Sequence, residues 1–322
     1  MTDMKKITVV MATYNGMRWL PEQIESLRSQ SDPCYDVLIQ DDGSGDGTMD
    51  WLELLTREDP RFRLAKENGC HFGAAGNFLS LLRQTDAPLI ALCDQDDVWL
   101  QDRLSACRTA MKEAEARVGE DIPLLIHSDA MLTDENGNPV AESFFAHQGW
   151  DGRAVTLNRL LVQNNATGCT MLINRALADL TVSHADPERI FMHDWFLAQT
   201  AAAFGEVIFL PRALVKYRQH GSNAMGASRK GLVHRAVSAM KTPSRIRERI
   251  ALTYQQAEVL LDAYGDELPP DSAAAVQNYL ETRSMLWGKR VAALRQGGYW
   301  MQNPLTRTAQ IMFGGAGQSS RS

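Results

Sequence analysis

Short apolar runs alternate with amphipathic stretches through the first third of the chain. Ile7–Ala12, Tyr35–Gln40, Arg61–Ala65 and Pro88–Cys93 read as strands. Apolar runs this short, with little polar alternation, are expected where both faces of a strand are buried. Between them a helix is expected from Pro21 through Ile24 and Leu27 to Gln30, and another through Trp51, Leu52 and Leu55. Pro21 suits a first helical turn, where its missing N–H costs nothing. Two further helices are expected over Asn77–Gln84 and Gln101–Val118. Strand–helix alternation at this pace predicts an α/β fold, with a mostly parallel sheet and right-handed crossovers.

The rhythm changes after residue 122. Leu124–Asp129 is a strand with a polar end, Asp134–Asn138 a hairpin turn, and Met171–Ile173 a further strand. A helix is expected over Ala176–Val182, and another starts at Trp195. Glu206–Leu210 and Leu214–Tyr217 read as two strands around Pro211. From Ser228 the pattern is helical, with further helices over Tyr254–Ala263 and Ala273–Leu294, and the Gly- and Ser-rich tail from Gly314 is expected to be disordered. This divides the chain into a domain over 1–225, a helical region over 226–313 and a tail over 314–322.

Polar residues fall at the strand ends. Thr13-Tyr14-Asn15 follows the first strand and Asp41-Asp42 the second. The fourth strand runs into Asp94, Asp96 and Asp97. If the strands are parallel, these groups meet on one rim, where open α/β sheets bind ligands. Three carboxylates so close repel one another unless a cation sits among them, and hard Mg²⁺ or Mn²⁺ suits carboxylate oxygen. The plainer reading is a helix N-terminus stabilised by acids, which accounts for one of the three better than for all of them.

Composition narrows the function. A net charge of −6 gives no electrostatic footprint for nucleic acid. Five scattered cysteines without CxxC spacing suggest reduced thiols, a cytoplasmic compartment and no zinc site. No apolar run is long enough to span a bilayer, and the N-terminus shows no signal-peptide core. Neither a dinucleotide fingerprint nor a P-loop is present, so phosphate is expected to be held by metal and not by a glycine cradle. The stretch from Ser228, with Arg229, Lys230, Arg235, Lys241, Arg245, Arg247 and Arg249 against Glu248, is either a surface for anionic lipid or a solvated basic face.

Five pieces, in order over residues 5–225, carry a family resemblance: Val9-Val10-Met11-Ala12-Thr13-Tyr14-Asn15, Asp41-Asp42-Gly43-Ser44, Asp94-Gln95-Asp96-Asp97, His193-Asp194-Trp195 and Tyr217-Arg218-Gln219-His220-Gly221-Ser222-Asn223. With them the chain resembles the family 2 glycosyltransferases, inverting enzymes of the GT-A fold. The last two pieces look like the bacterial rhamnosyltransferases of surface polysaccharide synthesis.

The resemblance implies a nucleotide-sugar donor, with dTDP-rhamnose the first choice and a UDP-sugar the second. It also implies a saccharide acceptor, a lipid-linked one at the inner membrane face being expected. Thr13, Tyr14, Asn15 and Asp42 would line the nucleotide pocket, with Asn77 as a ribose contact or a helix cap. Asp94 and Asp96 match the D-x-D element that holds the metal and ribose, with His220 and Arg218 near the metal or diphosphate. Asp194 matches the general base, and Gly168 and Trp195 border the acceptor. Each has a plainer reading: Asp194 as a helix cap, Trp195 as core, His220 as an ordinary hydrogen-bonded histidine, Asp41 as a turn former. A sugar nucleotidyltransferase should carry a glycine-rich basic loop where Ala12-Thr13-Tyr14-Asn15-Gly16 stands. A non-catalytic nucleotide-sugar-binding subunit would have no use for Asp96 and Asp194 together.

Overall fold

In the computed structural model, residues 4–221 and 243–313 are described. The basic stretch from Ser228 to Lys241, Ser222 and Asn223 of the fifth motif, and the tail from Gly314 lie outside them. The first part of the chain alternates β1 (Ile7–Thr13), α1 (Leu20–Arg28), β2 (Tyr35–Asp41), α2 (Thr48–Glu58), β3 (Phe62–Leu64), α3 (Gly73–Arg83), β4 (Leu89–Asp94), β5 (Val98–Trp99) and α4 (Arg103–Val118). Then come β6 (Leu124–Thr133), β7 (Pro139–Ala141), α5 (Phe144–Gln148), α6 (Leu157–Leu160), β8 (Met171–Asn174), α7 (Arg175–His184), α8 (His193–Phe204) and β9 (Glu206–Arg218). Four helices close the described chain: α9 (Pro243–Tyr264), α10 (Pro270–Glu281), α11 (Trp287–Gly297) and α12 (Pro304–Phe313).

The strands form one mixed sheet in the order β3-β2-β1-β4-β8-β6-β9-β5, with β7 paired to β6. β1 lies parallel to β2 and β4, and β2 parallel to β3. β8 runs antiparallel between β4 and β6, and β6 is parallel to β9. Alternation along β1 shows why its run is apolar throughout. Val9 and Met11 pack toward α1, α2 and α4, while Val10 joins the core under α3, α7 and α8. Helices α9–α11 extend that second core through Tyr254, Leu260, Tyr279 and Leu294.

Three expectations differ from the structure. Pro211 does not separate two strands; β9 is one strand with an irregular register against β6 around Asp129. Leu210 faces Ser128 and Ala213 faces Asp129, so Pro211 and Arg212 bulge out of the ladder, where a missing N–H does no harm. The helix expected over Ala273–Leu294 is two, α10 and α11. The break begins at Thr282, whose hydroxyl donates to Tyr279 O at 2.6 Å; Ser284 likewise donates to Glu281 O at 3.1 Å. Hydroxyls that bond their own backbone compete with helix, and the apolar periodicity on either side conceals the stop. Finally, α3 begins at Gly73, ahead of Asn77, because its first N–H groups are capped from another loop.

One buried cation ties the layers together. Arg103, at the start of α4, is 1 % exposed and donates through Nη2 to the carbonyls of Cys169 (2.7 Å), Leu92 (3.3 Å) and Met171 (3.4 Å). Its guanidinium lies 3.3 Å from the Trp99 ring centroid. Truncation would orphan these carbonyls and open a cavity. Arg103→Ala should therefore cost roughly 3–5 kcal/mol in urea unfolding, and Arg103→Met, which keeps the bulk, distinctly less. Equal and small losses for both would show that the guanidinium contributes nothing.

Candidate active site

Parallel pairing puts the strand ends side by side: Thr13 faces Asp41, and Ala12 faces Asp94. The polar residues after β1, β2 and β4 therefore share one rim. Asp41 organises its own turn, accepting from Gly43 N (3.1 Å), Ser44 N (2.8 Å) and Ser44 Oγ (2.6 Å), with Thr13 Oγ1 donating at 2.8 Å. The turn-former reading of Asp41 thus describes its contacts. Asp42 accepts from Phe72 N (2.7 Å) and Gly73 N (3.1 Å), the cap that starts α3 early. Asn77 lies inside α3, 2 % exposed, its Nδ2 3.5 Å from Gln40 O. It is not a cap.

The loop after β1 is held from two sides. Gln95 latches Tyr14 through both its amide atoms, N–H to Oε1 and Nε2 to O, at 2.9 Å each. Asn15 sits in the left-handed region (φ 47°), with its Oδ1 accepting from Gly45 N at 2.9 Å. The Tyr14 ring stays exposed, edge-on to His71 at 6.0 Å. His71 thus stands on the rim as well. Gln95 escaped the sequence reading, although it sits inside the D-x-D element.

The acidic loop is the centre of the site. Asp97 is fully buried and accepts the Arg218 N–H at 3.0 Å. The Arg218 guanidinium donates to Asp96 O (2.8 Å), Glu135 O (3.3 Å) and Glu22 Oε2 (2.6 Å). Arg218, expected near a diphosphate, is buried here and fastens the end of β9 to the acidic loop. His220 follows, with Nε2 2.6 Å from Asp96 Oδ2 and its ring stacked on Trp19 at 4.0 Å. Trp19, too, was not anticipated; nothing in the local pattern distinguishes it from a core residue. Asp94, Asp97 and Cys169 bring ligand atoms within 4.8 Å of one another. Burial, then Asp96 and Asp194, push the Asp94 carboxyl up to about 7. Burial, then Asp96 and Asp94, raise Asp97 as well. Carboxylate oxygens crowded in this way suit a divalent cation, which would relieve the repulsion of like charge, while His220 Nε2 is engaged by Asp96.

Asp194 stands second in α8. Its Oδ2 accepts from Gly168 N at 3.1 Å and its Oδ1 from Trp195 N at 2.6 Å. A Cβ at 168 would lie 3.2 Å from His193 Nε2 and 3.3 Å from Asp194 Cβ, so a larger residue would push these neighbours back by a few tenths of an ångström. Asp194 therefore does bond a helix N-terminus, as the cap reading has it. It also belongs to the cluster, because its charge is felt at Asp94. Burial pushes Asp194 up to about 6, against hydrogen bonds from Gly168, Trp195 and Asn164 that favour the anion. His193 stacks on Phe78 at 4.0 Å, and burial lowers its pKa to about 3, so it stays neutral. Trp195 is buried, its indole N–H donating to Leu160 O at 2.5 Å; it packs behind Asp194.

The fold is the GT-A fold seen in solved glycosyltransferase structures. Residues 8–119 match the family described as Glycosyl transferase family 2. Over 228 residues it is 27 % identical to the dTDP-rhamnosyl transferase RfbG of Shigella flexneri, covering 68 % of this chain and 74 % of that one. It is 27 % identical over 172 residues to the UDP-Glc:alpha-D-GlcNAc-diphosphoundecaprenol beta-1,3-glucosyltransferase WfgD of Escherichia coli, covering 53 % and 61 %. Among solved structures, S. aureus TarS 1–349 in complex with UDP superposes with a TM-score of 0.58 at 17 % identity, over 96 % of this chain and 89 % of that one. The mannosyltransferase PcManGT of Pyrobaculum calidifontis, in complex with GDP-Man and Mn²⁺, gives 0.51 at 16 % identity, over 98 % and 87 %.

Asp194 carries the pH prediction. Its folded pKa lies above the ordinary 3.8, so the folded chain holds this proton more tightly than the unfolded one. The ionised carboxylate therefore costs stability above about pH 6, and nothing below about pH 4. Asp194→Asn should abolish turnover yet gain up to about 3 kcal/mol at pH 8, with no gain at pH 4. Urea titrations at the two pH values measure this. Wild-type kcat/KM should fall as pH drops through about 6.

Proposed function

We propose that the chain is an inverting, metal-dependent transferase that moves a sugar, rhamnose first, from a nucleotide diphosphate to a saccharide acceptor in surface polysaccharide synthesis. The observation that carries this reading is the charge coupling of Asp194 to Asp94, beside the Asp96–His220 contact. It puts a candidate base and a candidate cation site in one cluster. Asp194, raised by burial, accepts the proton of the acceptor hydroxyl, and a single displacement on the far side of the sugar inverts the anomeric centre. Asp94, Asp96 and His220 would hold Mg²⁺ or Mn²⁺, which would neutralise the charge that grows on the departing diphosphate. Tyr14, Asn15 and His71 form the wall against which the nucleotide would lie.

The S. flexneri relative supports rhamnose and dTDP, and the E. coli relative supports a lipid-linked acceptor. Thermal shift with dTDP, UDP, GDP and ADP, each with and without Mn²⁺, tests the donor site, because a ligand bound only to the folded state raises its stability. Stabilisation by dTDP that needs Mn²⁺ and vanishes in Asp96→Asn is the expected result. If no nucleotide stabilises the chain with metal present, the donor reading is wrong.

A lipid-linked acceptor makes contact with a membrane surface part of the proposal. No helix among the described residues is long and apolar enough to cross a bilayer. However, the sequence has no acidic residue after Glu281, while Arg283, Lys289, Arg290, Arg295 and Arg307 follow it. Leu286 and Trp287 are 78 % and 61 % exposed between the exposed Arg283, which pairs with Glu258, and the exposed Lys289, a combination suited to an anionic interface. Cosedimentation with phosphatidylglycerol vesicles at low salt should weaken several-fold in Leu286→Ser/Trp287→Ser; binding that ignores both the variant and the lipid charge would refute the surface.

A further inference from the structure

Away from the acidic cluster, a cavity of about 420 Å³ opens where the last helices meet the α5–α6 connection. Trp150, Asp151, Arg159, Gln302 and Arg307 line it. Its two guanidiniums are held by one short piece of backbone. Arg159 Nη1 donates to Trp300 O at 2.9 Å, and Arg307 donates to Met301 O at 3.2 Å and to Gln302 O at 3.4 Å. Carbonyls fix their direction without neutralising them. Among the described residues neither is ion-paired with a carboxylate. Asp151, the acidic residue of the lining, accepts the Arg153 N–H at 3.0 Å. Two part-buried cations against one carboxylate leave the cavity positive in a chain of net charge −6.

Two successive asparagines connect this cavity to the base. Asn164 hydrogen-bonds the Asp194 carboxylate. Asn165 donates to Asp151 O at 2.8 Å and accepts from Gln302 Nε2 at 2.7 Å. Asn164 and Asn165 are consecutive, so the contact with Asp194 and the bonds that hold the cavity wall belong to one short segment. Gln302 also accepts the Asp151 N–H at 2.5 Å, which closes the far helices onto the wall.

We propose that this cavity binds a phosphate or diphosphate group of the acceptor, with Arg159 and Arg307 as its ligands and Trp150 as a flank for the adjoining sugar. Guanidinium groups match phosphate oxygens in pairs, and aromatic faces take sugar rings. This rests on reading the chain as a transferase with a lipid-linked acceptor, and the test separates the two.

The first measurement is titration calorimetry of the full chain with inorganic pyrophosphate in EDTA. Binding should be kept in Asp96→Asn and weakened about tenfold or more in Arg159→Gln/Arg307→Gln, the size expected for lost charged hydrogen bonds. The second compares an acceptor sugar linked through diphosphate to a short alkyl chain with its methyl glycoside. The KM preference for the charged acceptor should collapse in the double variant. A merely structural role would raise both KM values together and overturn the proposal, as would pyrophosphate binding indifferent to both arginines. If neither acceptor is glycosylated while pyrophosphate binding still depends on the arginines, the transferase reading fails and the anion site stands.

Discussion

Like-charge repulsion at the end of β4 is the constraint on which the rest of the structure depends. Asp94, Asp96, Asp97 and Asp194 are brought to one place, and two carboxylates a few ångströms apart repel by several kcal/mol in a part-dry environment. The fold answers from every side. Arg103 lies beneath, with its charge felt at Asp94; the Arg218 backbone N–H closes on Asp97; Gly168 and Trp195 give N–H groups to Asp194; His220 caps Asp96. The balance remains incomplete, as the raised Asp94 and Asp194 show. A cluster held under residual repulsion is preorganised for a cation and for a developing positive proton, with little rearrangement left to make.

The far helices brace that cluster from behind. Gln256 on α9 accepts the Phe191 N–H just before α8 and donates to Gln199 within it, at 3.0 and 3.3 Å. Gln199 and Trp195 both donate to Leu160 O. The N-terminus of α8, where Asp194 sits, is thus clamped between α6 and α9. Buried polar bridges of this kind fix orientation more than they add stability.

Most of the sheet was legible, because parallel strands buried on both faces leave unmistakable apolar runs, and because the acids after β4 have no structural use as a group. What escaped reading was non-local. The cap that starts α3 comes from Asp42, thirty residues upstream of Phe72. The partner of Asp97 is the backbone of Arg218, far along the chain, so spacing could not distinguish a fastener from a phosphate ligand. Pro211 looked like a strand end because pattern alone does not show a bulge, and the stop at Thr282 lay inside unbroken apolar periodicity. Trp19 and Gln95 acquire their roles only from what they face.

Chain order has a consequence of its own. The rim residues of β1, β2 and β4 all precede residue 98, while Asp194 and its surroundings follow residue 123. Arg103 spans the two halves through carbonyl groups, which any sequence provides. Side-chain agreement across the divide runs through Asp96 with His220, Arg218 with Glu22, Trp19 with His220 and Phe78 with His193, and through a hydrophobic core that both halves fill. A rim and an Asp194 region inherited from different parents would therefore have to match across the shared core and the β4–β8 pairing as well as at these contacts, so the two halves are bound to change together.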